Sequence, residues 1–322
     1  MSGRLAITAL GGGTGLAALL RGLKRESVDL TAVVTVGDDG GSSGRLRREL
    51  GVLPPGDIRN CLVALADDES LLGQLFQYRF TEGPLAGHSF GNLFLAALAE
   101  VAGGFDRAVE ESSHVLRVRG QVLPSTLTEV SLWAERADGR RVKGESAITA
   151  GDGPCRRMWL EPMAPPAHPP AVDAIRNADL LILGPGSLFT SVLPHLAVPE
   201  IASAVRAARG VRAYICNVMT QAGETDGYSA SDHLARVLEA APDSVDVIVT
   251  HSGQLDPDAI AAYARQGQEP VGVDRESLVA QGVRVVEGDL AEKGQVVRHR
   301  PDALADLLVA LAETAAVAPR AS

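Results

Sequence analysis

Residues 5–36 carry the feature that most restricts the fold. An apolar run, LAITAL at 5–10, ends in Gly11-Gly12-Gly13. Leucines follow at 16, 19, 20 and 23, and then DLTAVVTV at 29–36. A short uninterrupted apolar run suits a strand buried on both faces. The i, i+3, i+4, i+7 leucine spacing suits an amphipathic helix, with Thr14 as its expected N-cap. The β-branched second run suits another strand. Strand, glycine turn, helix and strand make a βαβ unit, right-handed by the usual rule.

The same rhythm returns later. Strands are expected at 179–183, 211–217 and 245–250, with shorter ones at 283–286 and 295–299. Helices are expected at 200–209, 229–241, 257–266 and 302–314. Nearer the N-terminus, residues 58–67, 71–80 and 92–101 read as helices, and 37–56 as a loop with one helical turn at 45–50. Residues 115–160 alternate polar and apolar and carry an Asp138-Gly139 hairpin signal, so they read as a small β-rich insertion. The expected architecture is therefore α/β: one domain over 1–322, with a doubly wound, mainly parallel Rossmann-like sheet. Its ligand crevice belongs at the carboxyl ends of the strands.

Charge and composition narrow the function. Thirty Lys and Arg against 40 Asp and Glu give a formal charge of −10 over 322 residues. That argues against a nucleic-acid binder or an anionic-membrane binder. Cys61, Cys155 and Cys216 are far apart with no CxxC, which excludes a zinc ribbon or disulfide framework and fits a reducing cytoplasm. The longest uncharged stretch, 180–199, contains three prolines, so no membrane span is expected. The N-terminus reaches its glycines too soon to hold a secretory signal core.

Several expected strand ends are rich in Gly, Ser and polar residues: 11–15, 37–45, 184–187 and 217–223. Such loops let backbone N–H groups approach an anion, and a following helix N-terminus adds its dipole. A phosphate-bearing ligand follows as the first expectation. Gly13-x-Gly15-x-x-Ala18, with Asp38 and Asp39 after the second strand, also matches a relaxed dinucleotide fingerprint, which keeps an NAD-dependent oxidoreductase among the alternatives. A P-loop is excluded, because no Lys follows a Gly. Two GxSxG matches, at 40–44 and 87–91, lack the strand running directly into the serine that a nucleophile elbow needs. Asp38, Asp39 and Asp57 could hold Mg²⁺ beside a phosphate, Asp38 and Asp57 being the favoured pair. His88 is a candidate ligand contact.

Taken together, GGGTG (11–15), TVGDDGGSSGRLR (35–47), PPGDIRN (54–60), GHSFGN (87–92), LGPGSLFTSVLPHL (183–196) and NVMTQAGETDGYS (217–229) resemble one family over nearly the whole chain. It is the YvcK family of gluconeogenesis factors, within the wider superfamily of the 2-phospho-L-lactate transferase CofD. The transferases share two spaced aspartates where this chain has Gly56-Asp57-Ile58-Arg59-Asn60, as YvcK members do. The resemblance therefore implies a cytoplasmic, regulatory protein that binds UDP-N-acetylglucosamine and supports cell shape and wall-precursor supply on gluconeogenic carbon. The alternative is a CofD-like transferase working with Mg²⁺. The implied binding residues are Gly11, Gly12, Gly13, Thr14, Asp38, Asp39, Ser42, Ser43, Asp57, Asn60, His88, Asn92, Gly184, Gly186, Ser187, Asn217 and Gln221. Tyr263 resembles a family tyrosine placed to stack on the uracil, and Arg298 a family arginine near the nucleotide. The expected partner is an enzyme of the amino-sugar or cell-wall pathway, and the expected assembly a homo-oligomer.

Overall fold

The computed structural model describes residues 4–67, 71–292, 294 and 296–317. Ten strands appear among them: β1 Leu5–Gly11, β2 Val28–Val34, β3 Gln121–Pro124, β4 Ser131–Arg136, β5 Arg141–Lys143, β6 Cys155–Glu161, β7 Leu180–Leu183, β8 Val211–Ile215, β9 Val247–His251 and β10 Arg284–Gly288. Seven of these form one sheet in the order β10-β9-β8-β7-β1-β2-β3, with every pairing parallel. The strand sequence reverses direction between β1 and β7. In a doubly wound sheet that switch point opens a crevice at the carboxyl ends, and the site described below lies there.

The core explains the sheet. All four residues of β7 are buried, as are the last five of β1, because helices cover both faces. Helix α1, Gly13–Leu23, buries Leu16, Leu19, Leu20 and Leu23 as its spacing requires. Its N-cap is Gly12, not Thr14, and Thr14 stands exposed. Gly22 lets the helix Pro301–Val317 come close, since a Cβ there would meet the Pro301 carbonyl oxygen at 2.3 Å. Among the described residues no single helix is long and apolar enough to cross a membrane.

Three elements differ from expectation. The Gly/Ser-rich 37–56 segment is mostly helical: α2 runs Gly41–Leu50 and α3 runs Gly56–Leu65. The start of α2 is held by tertiary contacts that propensity does not see, including the Gly56 N–H donating to Ser43 Oγ at 3.1 Å. The 115–160 insertion divides. Helix Phe105–Leu116 reaches into it, and β3 joins the main sheet beside β2. Only β5-β4-β6 form a separate antiparallel sheet. The expected strand at 295–299 is, over its described residues, an isolated bridge between His299 and Ala291; Gln295 lies outside the described residues.

Candidate functional site

A cleft of about 360 Å³ opens at the carboxyl edge, at the switch point. One wall is the turn from β1 into α1, Gly12 to Gly15. Another is the turn after β7, Pro185 to Ser191. The rest comes from Asn217–Gln221 after β8, from Glu145 and Thr149 beside the small sheet, and from Tyr263 with Val297–His299. Gly12, Gly13, Thr14, Gly186, Ser187, Asn217, Gln221, Tyr263 and Arg298 thus meet in one cavity, although they are spread over almost 290 positions.

The two glycine turns interlock. A Cβ on Gly15 would sit 2.8 Å from the Pro185 carbonyl oxygen, and one on Gly12 would sit 2.6 Å from Asp57 Oδ2 and 2.7 Å from Thr35 Cγ2. Glycine is needed here for approach rather than for backbone conformation: Gly12 is extended, with φ −161°. The Gly13 amide faces the Asp57 carboxylate and favours its charged form. Ser187 is similarly engaged. Its Oγ donates to Glu224 Oε2 and accepts the Thr190 N–H at 3.2 Å, capping the turn Leu188–Val192.

Tyr263 and Arg298 come together through one small motif. The Tyr263 hydroxyl accepts the Val297 N–H at 3.2 Å and donates to the Val297 carbonyl at 3.4 Å. This fixes the ring beside the segment that carries Arg298, which is exposed. His299 is next, 9% exposed, with its Nε2 lacking a partner. Across the β8 loop, Asn217 Nδ2 donates to Gln221 Oε1 at 3.3 Å. An aromatic face, a guanidinium and two amides on one cavity can take a base, a charged phosphate and hydroxyls.

The other sequence candidates form an adjoining acidic group. Gly12 lies directly under Asp57, and a Cβ on Gly56 would meet both Ser43 Oγ, at 2.5 Å, and Asp38 Oδ2, at 2.7 Å. Asp38 Oδ1 accepts the Gly40 N–H at 2.8 Å, and Asp39 Oδ1 accepts the Ser146 N–H at 2.9 Å. Burial, opposed by the Gly13 hydrogen bond and reinforced by the nearby Asp38 charge, pushes Asp57 up to about 6. Glu145, missed from the sequence, is pushed up to about 9, first by burial and then by Asp57 and Asp38. Glu224, also missed, rises to about 7 through burial. Three acids with raised pKa values, Asp57 against Gly12, Glu224 on Ser187 of the second turn and Glu145 on the cleft wall, mark a strained electrostatic site.

The remaining candidates lie outside the cleft lining. Ser42 Oγ and His88 Nδ1 are 3.0 Å apart, both buried, and burial together with the Arg45 charge lowers the His88 pKa from its ordinary value. Asn60 Oδ1 accepts from Arg59 Nη2 at 2.6 Å. The Asn92 N–H donates to the N-cap Ser89 Oγ at 3.2 Å, while Asn92 Oδ1 is buried without a partner. Gly11 ends β1, and the Gly184 N–H donates to the Leu10 carbonyl at 2.8 Å. Gly11 and Gly184 lead directly into the two glycine turns.

Among the described residues no three His, Cys, Asp or Glu side chains converge as a metal-ligating set. The donor chemistry of Asp38 and Asp57 still suits a hard cation. The Asp38 charge helps hold the Asp57 pKa up, a strain that shared positive charge would relieve, and Mg²⁺ commonly takes one or two carboxylates and completes its shell with phosphates and water.

Comparison with known proteins bears on the family and the fold. The sequence model of the family described as 2-phospho-L-lactate transferase CofD matches residues 7–291. A protein of Nostoc sp. is 52% identical over 94% of this chain and 68% of its own length. The gluconeogenesis factor of Bacillus subtilis is 48% identical over 95% of this chain and 97% of its own. A crystal structure of a UPF0052-family protein from Bacillus halodurans superposes with a TM-score of 0.92 at 46% identity, covering 95% of this chain and all of that one. The interlocked glycine turns, the acidic group beside them and this near-complete coverage lead to one assignment: the chain belongs to the CofD family and, within it, groups with the YvcK-type gluconeogenesis factors.

Proposed function

We propose that this protein is a cytoplasmic sensor that binds a UDP-N-acetylglucosamine-like nucleotide sugar and acts on cell shape and wall-precursor supply during gluconeogenic growth. The observation that carries the reading is the tie between Tyr263 and Val297, which brings an aromatic ring and the Arg298 guanidinium to one cavity with a helix N-terminus. In this reading Tyr263 stacks on the base, and Arg298 pairs with the diphosphate. Asn217 and Gln221 hydrogen-bond hydroxyls, and the amides at the start of α1 other than Gly13 face the phosphates. The bound ligand favours one arrangement of the surrounding segments, in proportion to its differential affinity for the alternatives. An amino-sugar or cell-wall pathway enzyme would read that arrangement. Because 41–50 is helical, the adjusting segments are the small sheet and its helix Glu145–Thr149 rather than a 37–56 loop.

Mg²⁺, if bound, would be held by Asp38 and Asp57 and would supply charge neutralisation to ligand phosphates. The same two acids favour a second reading, a CofD-like transferase moving a phosphoryl-linked group from a nucleotide carrier. The test is to incubate the protein with UDP-N-acetylglucosamine and analyse the recovered nucleotide, alongside binding by Tyr263→Ala and Arg298→Ala. Intact ligand, with affinity reduced about tenfold or more in each variant, supports the sensor. Ligand breakdown supports the transferase. Unchanged affinity in both variants removes the Tyr263–Arg298 site.

A further inference from the structure

Arg136 is, among the described residues, the largest fully buried side chain, 2% exposed. It lies on β4 on the same face as Leu132 and Ala134, pointing under the small sheet. Its hydrogen bonds go to carbonyls rather than to a carboxylate. Nη1 donates to Gly153 O at 2.9 Å and Gly223 O at 2.6 Å, and Nη2 donates to Ile148 O at 2.8 Å and Ala147 O at 3.2 Å. A buried guanidinium is kept only where its donors are satisfied, and removing it strands the acceptors.

The identity of those acceptors gives the arrangement its meaning. Ala147 and Ile148 belong to the short helix that presents Glu145 and Thr149 to the cleft. Gly223 belongs to the loop that presents Gln221. Packing at this junction has no slack: a Cβ on Gly151 would lie 1.7 Å from Arg136 Nη2, and one on Gly223 would lie 2.3 Å from the Gly151 carbonyl oxygen. On the opposite face of the same two strands, Trp133 and Trp159 stack with centroids 6.0 Å apart and planes 8° from parallel. They are the only two tryptophans in the sequence.

We propose that Arg136 is a positioning residue that fixes the Glu145 and Gln221 sides of the cleft from within the small sheet, and that this link makes the Trp133–Trp159 stack report what the cleft holds. The second half rests on the nucleotide-sugar reading; the first half does not depend on the ligand. A ligand that moves either side of the cleft pulls on Arg136, and Arg136 is three residues from Trp133 along β4, with a shift in the β4–β6 register between Glu135 and Arg136. Coupling of this kind is reciprocal, so a change at the small sheet alters the cleft equally.

The experiment uses the full chain and two variants, Arg136→Lys and Gly151→Ala. The second keeps the charge and displaces the guanidinium by contact, so it decides the matter if the first fails to fold. Amide hydrogen exchange without ligand is expected to rise about tenfold or more over 145–153 and 221–226 in either folded variant, with β1 and β2 unchanged. Exchange that stays at the wild-type level there, or rises equally across the chain, overturns the positioning role. Near-UV circular dichroism then follows addition of UDP-N-acetylglucosamine. The tryptophan band is expected to change in the wild type and not in a variant that still binds. Binding with no change in the wild-type band overturns the reporting role. If the wild type binds no UDP-N-acetylglucosamine by titration, the nucleotide-sugar reading and the reporting role both fall, while the exchange result still decides the positioning role.

Discussion

On the β1–β2 side of the switch point, Asp57 lies against Gly12 and Asp38 against Gly56, while burial first and neighbouring carboxylates next hold Asp57 and Glu145 well above the ordinary carboxylate range. On the β7–β8 side, Asn217, Gln221, Tyr263 and Arg298 present amides, a ring and a cation, partly open to solvent. The two flanks share one sheet edge, one kind of glycine turn and opposite electrostatics. A diphosphate is attracted to the second flank and repelled by the first unless the acids are protonated or share a cation. The contrast teaches that glycine turns alone do not define a phosphate site. On the acidic flank the Gly13 amide faces Asp57, a carboxylate of the protein itself.

Substitutions on the acidic flank sharpen that contrast. Asp57→Asn should have the largest effect. The folded pKa of about 6 lies above the ordinary 3.8, so the folded state holds its proton longer than the unfolded chain does. Wild-type stability therefore falls as pH rises from about 4 to about 6 and stays lower above that, at a cost of up to about 3 kcal/mol. Asparagine keeps an acceptor for Gly13 and has no such linkage. Urea unfolding should find the variant gaining on the wild type by that amount between pH 4 and pH 8. A variant that loses ground over that interval would mean Asp57 is stabilised as a carboxylate, and the flank is not electrostatically strained.

Gly12→Ala comes next. Its Cβ would press on Asp57 Oδ2 and Thr35 Cγ2, and overpacking of this degree costs about 2 kcal/mol. Because Gly12 joins the flanks, nucleotide affinity should fall with stability. A fall in stability alone would separate the acidic group from the cleft. Glu145→Gln should be the mildest. Glu145 is neutral at pH 7, held up to about 9, so glutamine retains an N–H donor where the acid has an O–H. Stability should rise above about pH 4.5, where only the wild type must hold the carboxyl protonated, with the rise discounted because Glu145 is half-buried. Ligand affinity should not change. A marked loss of affinity would show that Glu145 acts as a carboxylate.

The sheet was legible because buried parallel strands are written as short apolar runs, and because GGGTG with its leucine spacing leaves one reading for residues 5–23. Helix α2 was not legible: its Gly41-Ser42-Ser43-Gly44 start has poor intrinsic propensity, and contacts from α3 hold it. Helix Phe105–Leu116 was overlooked although Phe105, Ala108, Val109, Ser112 and Leu116 repeat at helical spacing on its buried face. On the β7–β8 flank, the polar strand-end loop carrying Asn217 and Gln221 was legible, but Tyr263 and Arg298 could be joined to it only through family resemblance, since one lies on the helix Pro257–Ala264 and the other in a later segment. Glu145 carried no local signal, because its meaning comes from carboxylates about 90 to 105 residues away. Arg136 did carry one. In SLWAER the period of two places it on the face of Leu132 and Ala134, and a charge on an apolar face signals a buried partner set.

The most direct measurement is isothermal titration of the wild-type protein with UDP-N-acetylglucosamine, first in EDTA and then with Mg²⁺. If the β7–β8 flank is the nucleotide site and the acidic flank its cation-dependent neighbour, saturable binding appears in EDTA, tightens with Mg²⁺ and leaves the ligand intact; with Asp57→Asn the Mg²⁺ effect is lost and the EDTA affinity remains. Absence of binding under both conditions contradicts the account.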